Sequence, residues 1–357
     1  MKNIISHISL VVAFLLLIGC SQTEYIADIK TSIYEPSENE VTITINSKDD
    51  GKTTVKQETT TVINSTNKKS NTSEYETSTV STATSSVASS STNVVKAPKY
   101  PTDKKLTVTS TGKPAYHKYK SDTISIELQQ YETDTKQSYW LAHIVIKSPN
   151  QIRGGLSFDD YGGTRETPTS ASKRLGWTLG INGSYFSYDT GKPLDDVIIK
   201  DGKKADNITD ISAGREICLK KDGTIFTPQN GTTADQLLQM GVVESWVTRD
   251  PLMLSDGKRQ RTNVINESNP VGSKAYPRTA IGMVEPCNYY IIVAGEKTEE
   301  SGLSFYQMQN IFYDLNCEYA RSFDGGGSSA LVYKNELLNI PKGGSERAVV
   351  DFLYFKE

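Results

Sequence analysis

Apolar and polar positions divide the chain into three stretches of different character. Residues 8 to 19 form one nearly continuous apolar run behind a positive start at Lys2, and no other run of that kind follows. From Ser21 to about Lys99 the hydrophobic periodicity fades into Ser, Thr, Asn and Lys, most densely between residues 71 and 92. One alternating piece, Val41 to Ile45, has the period of a strand. Beyond residue 100 alternation returns. Strands are expected over Thr123 to Gln129, Tyr139 to Ile146, Val197 to Lys200 and Ile225 to Phe226, then over Ala280 to Val284, Tyr289 to Ala294, Ala330 to Tyr333 and Val349 to Phe355. Helices are expected from Pro168 to near Gly176, from Thr233 to Met240 and from Ser304 to Asn316. In the last of these Met308, Ile311, Phe312 and Leu315 share one face, which reads as core packing. Many strands with few helices predict an α+β fold: one domain of mixed, twisted β-sheet with a few flanking helices.

The boundaries follow from the same pattern. Residues 1–19 read as a signal, 20–100 as a disordered Ser/Thr-rich linker, and 101–357 as one folded domain. A segment that buries so little apolar surface does not offset its ordering entropy. An 80-residue tether of that kind has a root-mean-square reach of about 50 Å. The signal closes on Leu17-Ile18-Gly19-Cys20, which resembles a bacterial lipoprotein signal in which Cys20 becomes the lipid-modified first residue. The alternative is an ordinary secretory signal with an incidental cysteine. A lipid-modified cysteine carrying several acyl chains anchors stably, so the expected location is outside the cytoplasmic membrane, held to it through Cys20.

Composition narrows the function classes. Lys and Arg number 39 against 42 Asp and Glu, a formal charge of -3, so the broad basic footprint of a nucleic-acid binder is missing. A mean hydropathy of -0.45 with one short apolar run excludes a polytopic membrane protein. Four cysteines in 357 residues exclude a disulfide scaffold, although one pair among Cys218, Cys287 and Cys317 has the option of bridging. Three histidines, one of them His7 in the signal, leave His117 and His143 for a triad or a zinc site, and neither lies in a supporting motif. Ser170-Ala171-Ser172-Lys173 matches S-x-x-K, but no K-T-G follows. No cofactor is expected, and the sequence leaves a divalent-ion requirement open.

The chemistry concentrates in Asp324-Gly325-Gly326-Gly327-Ser328. Three glycines permit positive φ and N–H groups converging on an anion, with an acid and a hydroxyl at either end. No Lys follows, so this is not a nucleotide P-loop. Asn182-Gly183 with Phe186 closes a predicted strand, and Pro277-Arg278-Thr279 opens another. In this order and spacing, together with residues 295 to 308 and Glu346-Arg347-Ala348, the segments resemble the phosphodiester glycosidase family over about residues 105 to 357. The resemblance implies cleavage of a sugar-1-phosphodiester to free sugar and phosphomonoester, with a glycosyl-phosphate or cell-wall glycan as substrate. It places Asn182, Gly183, Phe186, Arg278, the loop Asp324 to Ser328 and Arg347 on the family's motif positions. Asp324 is then the carboxylate acting at the reacting centre, as base, nucleophile or hydroxyl ligand. Arg278 and Arg347 compensate phosphate charge, Gly325, Gly326 and Gly327 assist through their N–H groups, and Asn182 binds sugar or phosphate. Gly183, Phe186 and Ser328 join the substrate-binding set. Asp196, next to Asp195, is a candidate second acid in the same cleft. Departures are Ser184 for Gly, Gln307 for a Glu, Arg249-Asp250-Pro251 for a glycine-rich stretch, and Phe323 for Leu. Gln307 favours an alternative, a non-catalytic glycan-binding module of the same fold; a phosphodiesterase cutting P–O rather than C–O is a third reading.

Overall fold

The computed structural model describes residues 97–161, 163–194, 196–205, 210–265, 274–298 and 300–357, together with strands at Ala27–Asp28, Glu40–Ser47 and Lys56–Val62. The chain divides into two compact units, Met1–Ser90 and Ser91–Glu357. In the first, the alternation at Val41 to Ile45 lies within Glu40–Ser47, which pairs antiparallel with Lys56–Val62 on one side and Ala27–Asp28 on the other. The signal, Cys20 and the Ser/Thr-rich stretch at 71–92 lie outside the described residues.

The second unit is a single, mostly β domain with a few helices. Nine strands form its larger sheet, in which Leu252–Ser255, Tyr319–Ser322, Arg278–Glu285, Asn288–Ala294, Ser138–Ile146 and Ile124–Glu132 are successive neighbours. Five strands form a second sheet, in which Leu331–Tyr333, Leu179–Asn182, Asp351–Phe355 and Ile152–Leu156 are successive neighbours. Every registered pair in both sheets is antiparallel.

Alternating side chains explain the layering. In Asn288–Ala294, Ile291 and Val293 enter the core shared with Leu179, Ile181, Leu353 and Phe355 of the five-stranded sheet. Tyr290, Ile292 and Ala294 point the other way, into a core closed by Met308 and Phe312 of the helix Phe305–Asp314 and by Leu315, which caps it. This strand is buried on both faces, which is why its sequence reads as a continuous apolar run. The outer face of the five-stranded sheet, with Val332, Phe352 and Tyr354, is covered by Ala171 of the helix Pro168–Leu175 and by Trp177 and Phe186. A smaller sheet of Ile225–Phe226, Glu216–Lys220 and Val242–Val247 carries the helix Ala234–Gln239 on Leu237 and Ala234. The domain is therefore helix, sheet, sheet, helix, with an appended three-stranded layer.

The helix termini match their sequence signals. Ser304 caps Phe305–Asp314 and Thr233 caps Ala234–Gln239, each in a reciprocal capping box, while Gly176 ends Pro168–Leu175 in the left-handed conformation. Val197 to Lys200 is shorter as a strand than its apolar pattern predicts: Ile199 and Lys200 pair with Lys204 and Lys203, while the Val197 N–H and carbonyl bond the Glu216 and Ser245 side chains instead. Cys218, Cys287 and Cys317 are all free thiols, so none of the three is bridged to another.

Gly282 sits where the helix Phe305–Asp314 meets the large sheet. A Cβ there would come within 2.5 Å of Phe312 and 2.8 Å of the Cys317 thiol. Gly282→Val should lower the thermal midpoint through overpacking of about 1–3 kcal/mol, measured by calorimetry against wild type.

Candidate active site

The candidate residues gather where strand ends of the two sheets meet. Leu179–Asn182 ends at Asn182, Arg278–Glu285 begins at Arg278, and Tyr319–Ser322 runs out through Phe323 into Asp324. Antiparallel pairing of Ala280 with Ser322 puts the start of one strand beside the end of the other, so Arg278 and the Asp324 loop share one end of the sheet. The Asp324 N–H donates to the Gly183 carbonyl at 3.0 Å, and the Phe323 N–H to the Thr279 carbonyl at 2.8 Å. Two short strand ends thus fix one carboxylate.

Asn182 is the knot. It is fully buried; its Nδ2 donates to the Asp324 carbonyl at 2.7 Å, while its Oδ1 accepts from Thr279 Oγ1 at 2.8 Å and from the Ala330 N–H at 3.1 Å. The amide expected to bind sugar or phosphate is instead committed inside the protein, holding the loop that carries Asp324. Gly183 likewise serves close packing: a Cβ would lie 2.4 Å from Asp351 Oδ1 and 2.8 Å from Trp246. Asp351 in turn accepts from the Ser184 N–H at 2.6 Å and hydroxyl at 2.7 Å. Ser184, unlike glycine, can make that second bond, which accounts for the departure at this position. Phe186 is buried in the outer core with Trp177 and Val332, its ring centre 5.3 Å from that of Tyr188 and tilted 39° to it.

The glycine loop is a short 3-10 turn, Gly326–Ser328, with Gly326 at φ 62. Its N–H groups do not all converge on one anion. Gly326 donates to the Pro277 carbonyl at 2.7 Å, and Gly325 lends its N–H to the Asp324 carboxylate. Gly327 leaves room for Arg347, since a Cβ would fall 2.4 Å from its Nη2. The Arg347 guanidinium packs against the loop, with Nη1 donating to Ser328 Oγ at 3.3 Å. Ser328, almost fully buried, also hydrogen-bonds the Asp324 carboxylate and so bridges acid and guanidinium. Glu346 does not pair with its neighbour Arg347. It accepts from the Thr169 N–H at 2.7 Å, at the start of the helix Pro168–Leu175, where the helix end favours an anion.

Burial dominates the titration of Asp324 and pushes its carboxyl up to about 7, helped by the charge of Asp250 and opposed by Ser328, Arg347 and the Gly325 N–H. A carboxyl with that proton affinity exchanges a proton readily at neutral pH. Asp250 is the residue that sequence reasoning passed over as a mere departure. It is buried, its Oδ1 accepts from the Tyr185 hydroxyl at 3.0 Å, and its Oδ2 lies 3.7 Å from Arg278 Nη1. Desolvation raises its own pKa, with Arg278, Tyr185 and Arg321 pulling the other way. The sequence held a weak signal for it: a charged side chain opening a strand, Leu252–Ser255, that otherwise reads apolar.

Arg278 is more engaged than a free phosphate ligand. Its Nε donates to the Leu303 carbonyl at 3.0 Å and its guanidinium stacks 3.5 Å from the Phe305 ring centre. Arg347 keeps the more open fork. Asp196 is not in this cleft's bonding network. Fully buried, it accepts from Arg215 Nε at 2.8 Å and from the Ala213 N–H at 3.0 Å, anchoring the loop before Glu216–Lys220. Asp195 lies outside the described residues. Gln307 is the third residue of the helix Phe305–Asp314; its Oε1 accepts from the Ser304 N–H at 2.9 Å, and its own N–H donates to Ser304 Oγ at 3.1 Å. Glu and Gln are interchangeable in that capping role, so Gln307 no longer speaks for a module without turnover. His143 shares a hydrogen bond with Asn288 Oδ1 at 2.9 Å and stacks on Tyr290, a sheet-face role.

The family model for phosphodiester glycosidase matches residues 176–356, and the chain belongs to that family. Among curated relatives, the SPbeta prophage-derived uncharacterized protein YomE of Bacillus subtilis (strain 168) is 30% identical over 200 residues, covering 53% of this chain and 29% of that protein. The N-acetylglucosamine-1-phosphodiester alpha-N-acetylglucosaminidase of Bos taurus is 22% identical over 188 residues, 50% of this chain and 35% of that one. The chain thus spans about a third of the length of these relatives. The catalytic domain of the zebrafish N-acetylglucosamine-1-phosphodiester alpha-N-acetylglucosaminidase, auto-inhibited by its pro-peptide, shares the fold with a TM-score of 0.55 at 20% identity, over 70% of this chain and 90% of that one.

Asp324 also links the site to stability. Burial pushes its carboxyl up to about 7 from the ordinary aspartate value of 3.8, so the folded state binds the extra proton between those values. Stability contributed by that proton falls as pH rises through the window and is gone above pH 7. Asp324→Asn should therefore stabilise the domain at pH 8, by at most about 4 kcal/mol at 1.4 per pKa unit, and hardly at pH 4. Thermal midpoints of both proteins across pH 4–8 measure this, and a constant offset would contradict it.

Proposed function

We propose that the domain hydrolyses the bond between C1 of a sugar and a phosphodiester oxygen, adding water to give a free sugar and a phosphomonoester. The observation that carries this reading is the pairing of Asp324, its proton affinity shifted to neutrality, with the open guanidinium of Arg347 through Ser328 on the glycine loop. Charge leaving on the phosphate meets Arg347, whose planar fork suits two phosphate oxygens. Asp324 in its ionised form serves the oxocarbenium-like centre, as nucleophile or as base toward water. Phosphate is a good leaving group, so one essential carboxylate suffices without a dedicated acid. Asp250 stands behind, beside Arg278 and bonded by the Tyr185 hydroxyl, and its charge adds to burial in keeping Asp324's proton affinity high.

The proposal extends to where the chain works. The signal and Cys20 support an extracytoplasmic lipoprotein acting on glycosyl phosphates of envelope polymers or captured glycans. Cys20→Ser should shift the protein from the membrane fraction to the soluble one; unchanged membrane association would contradict the anchor.

Hydrolysis of a GlcNAc-1-phosphodiester in 18O-labelled water tests the chemistry. Label in the sugar marks C–O cleavage and supports the proposal, whereas label in the phosphate marks P–O cleavage and a phosphodiesterase. Asp324→Asn should lower kcat by about three orders of magnitude or more, and the wild-type rate should rise with pH through about 7. Gln307→Glu should leave kcat/KM within a factor of about two, since the capping box accepts either side chain; a large gain would return Gln307 to the reacting site.

A further inference from the structure

Just outside the glycine loop, two guanidinium groups flank one exposed aromatic ring. Tyr188 is 58% exposed. The Arg347 guanidinium carbon is 5.2 Å from its ring centre, and that of Arg165 is 5.7 Å from the same centre and 5.8 Å from Phe186. Among the described residues neither guanidinium has a carboxylate within 4 Å, including Asp189 of the same turn. Arg174, close in sequence to Arg165, is by contrast spent on Glu166 and Asp159.

The placement is built. Tyr188 sits in a tight hairpin in which the Gly191 N–H donates to the Ser187 carbonyl at 2.8 Å, and Ser187 N–H to Lys192 at 2.9 Å. Gly191, at φ 64, comes so close to Gly163, at φ 95, that a Cβ on it would lie 2.2 Å from the Gly163 carbonyl oxygen. A Cβ on Gly163 would lie 2.5 Å from the Thr190 carbonyl oxygen. No other residue allows both the left-handed backbone and that approach. The contact locks the hairpin onto the segment carrying Arg165, two residues further on. Consecutive contacts then run outward from Asp324 through Ser328 and Arg347 to Tyr188 and Arg165.

We propose that Arg165 and Tyr188 form a subsite for a second anionic group on the aglycone side of the scissile phosphodiester, so that the substrates are glycosyl phosphates whose aglycone carries a further phosphate. The inference rests on the function proposed above. With the scissile phosphate on Arg347, the aglycone leaves across the Tyr188 face, and its next phosphate meets Arg165. The exposed Tyr188 ring, with a guanidinium carbon 5.2 Å and another 5.7 Å from its centre, offers a flat surface for the connecting carbons between the two cations. Repeating phosphate polymers meet this description; a neutral aglycone does not use Arg165.

Two probes decide it: methyl GlcNAc-1-phosphate, with one phosphate, and GlcNAc-1-phospho-glycerol-3-phosphate, with two. Calorimetric titration uses the full chain bearing Asp324→Asn, with and without Arg165→Ala, and steady-state hydrolysis uses the wild type and Arg165→Ala. The second phosphate should tighten binding about tenfold or more, as for a charge-assisted hydrogen bond. Arg165→Ala should abolish that gain, added salt should erode it, and hydrolysis of the one-phosphate probe should be unchanged. Arg165 is exposed, so its removal leaves the fold intact. Hydrolysis of the one-phosphate probe without any gain from the second phosphate, or a gain that survives Arg165→Ala, overturns this inference and leaves the glycosidase reading standing. If neither probe binds and neither is hydrolysed, both readings fall.

Discussion

One buried amide holds the site together. Asn182 lies where the five-stranded sheet meets the nine-stranded one, and its three hydrogen bonds reach the Asp324 carbonyl, the Thr279 hydroxyl and the Ala330 N–H. In a buried junction each of those groups would be costly to leave unpaired. Aspartate would introduce a charge and remove the donor to Asp324; an apolar residue would orphan all three. The glycine loop can therefore leave the sheet at a sharp angle and still present Asp324 in one position.

From that junction the electrostatics follow. Asp324 is drawn into a setting dry enough to raise its proton affinity, then partly compensated by Ser328 and Arg347. A second carboxyl, Asp250, is balanced by Arg278 and the Tyr185 hydroxyl. Acid and base groups thus alternate across the end of the sheet, and the protein carries an overall charge of only -3. The cationic groups at this end of the sheet are a few placed guanidiniums, not a broad basic surface.

Several residues that look chemical turn out to support the scaffold. Asp196 neutralises Arg215, Gln307 caps a helix, and Glu346 sits at a helix start. Each is a polar residue in a motif-rich stretch, and nothing in its local sequence separates a ligand from a brace. The distinction lies in which partners the fold brings within hydrogen-bond reach. Asp250 shows the converse: it gains importance through Tyr185, 65 positions before it in the chain.

The sequence by itself determined the elements and the site's main members. Strand alternation, capping signals and the apolar helix face are local properties, set by backbone geometry and side-chain period, and they survive into the folded domain with small shifts at their ends. The Asp324 loop was legible because three successive glycines stand between an acid and a hydroxyl, and Arg347 because it falls in a recognisable pattern. Tertiary structure alone decided the roles. Burial at the junction of two sheets turned Asn182 from ligand to tie, raised Asp324 toward neutrality, brought in Asp250, and set Arg165 against Tyr188. Those properties depend on desolvation and on contacts between residues distant in sequence, which no local pattern encodes.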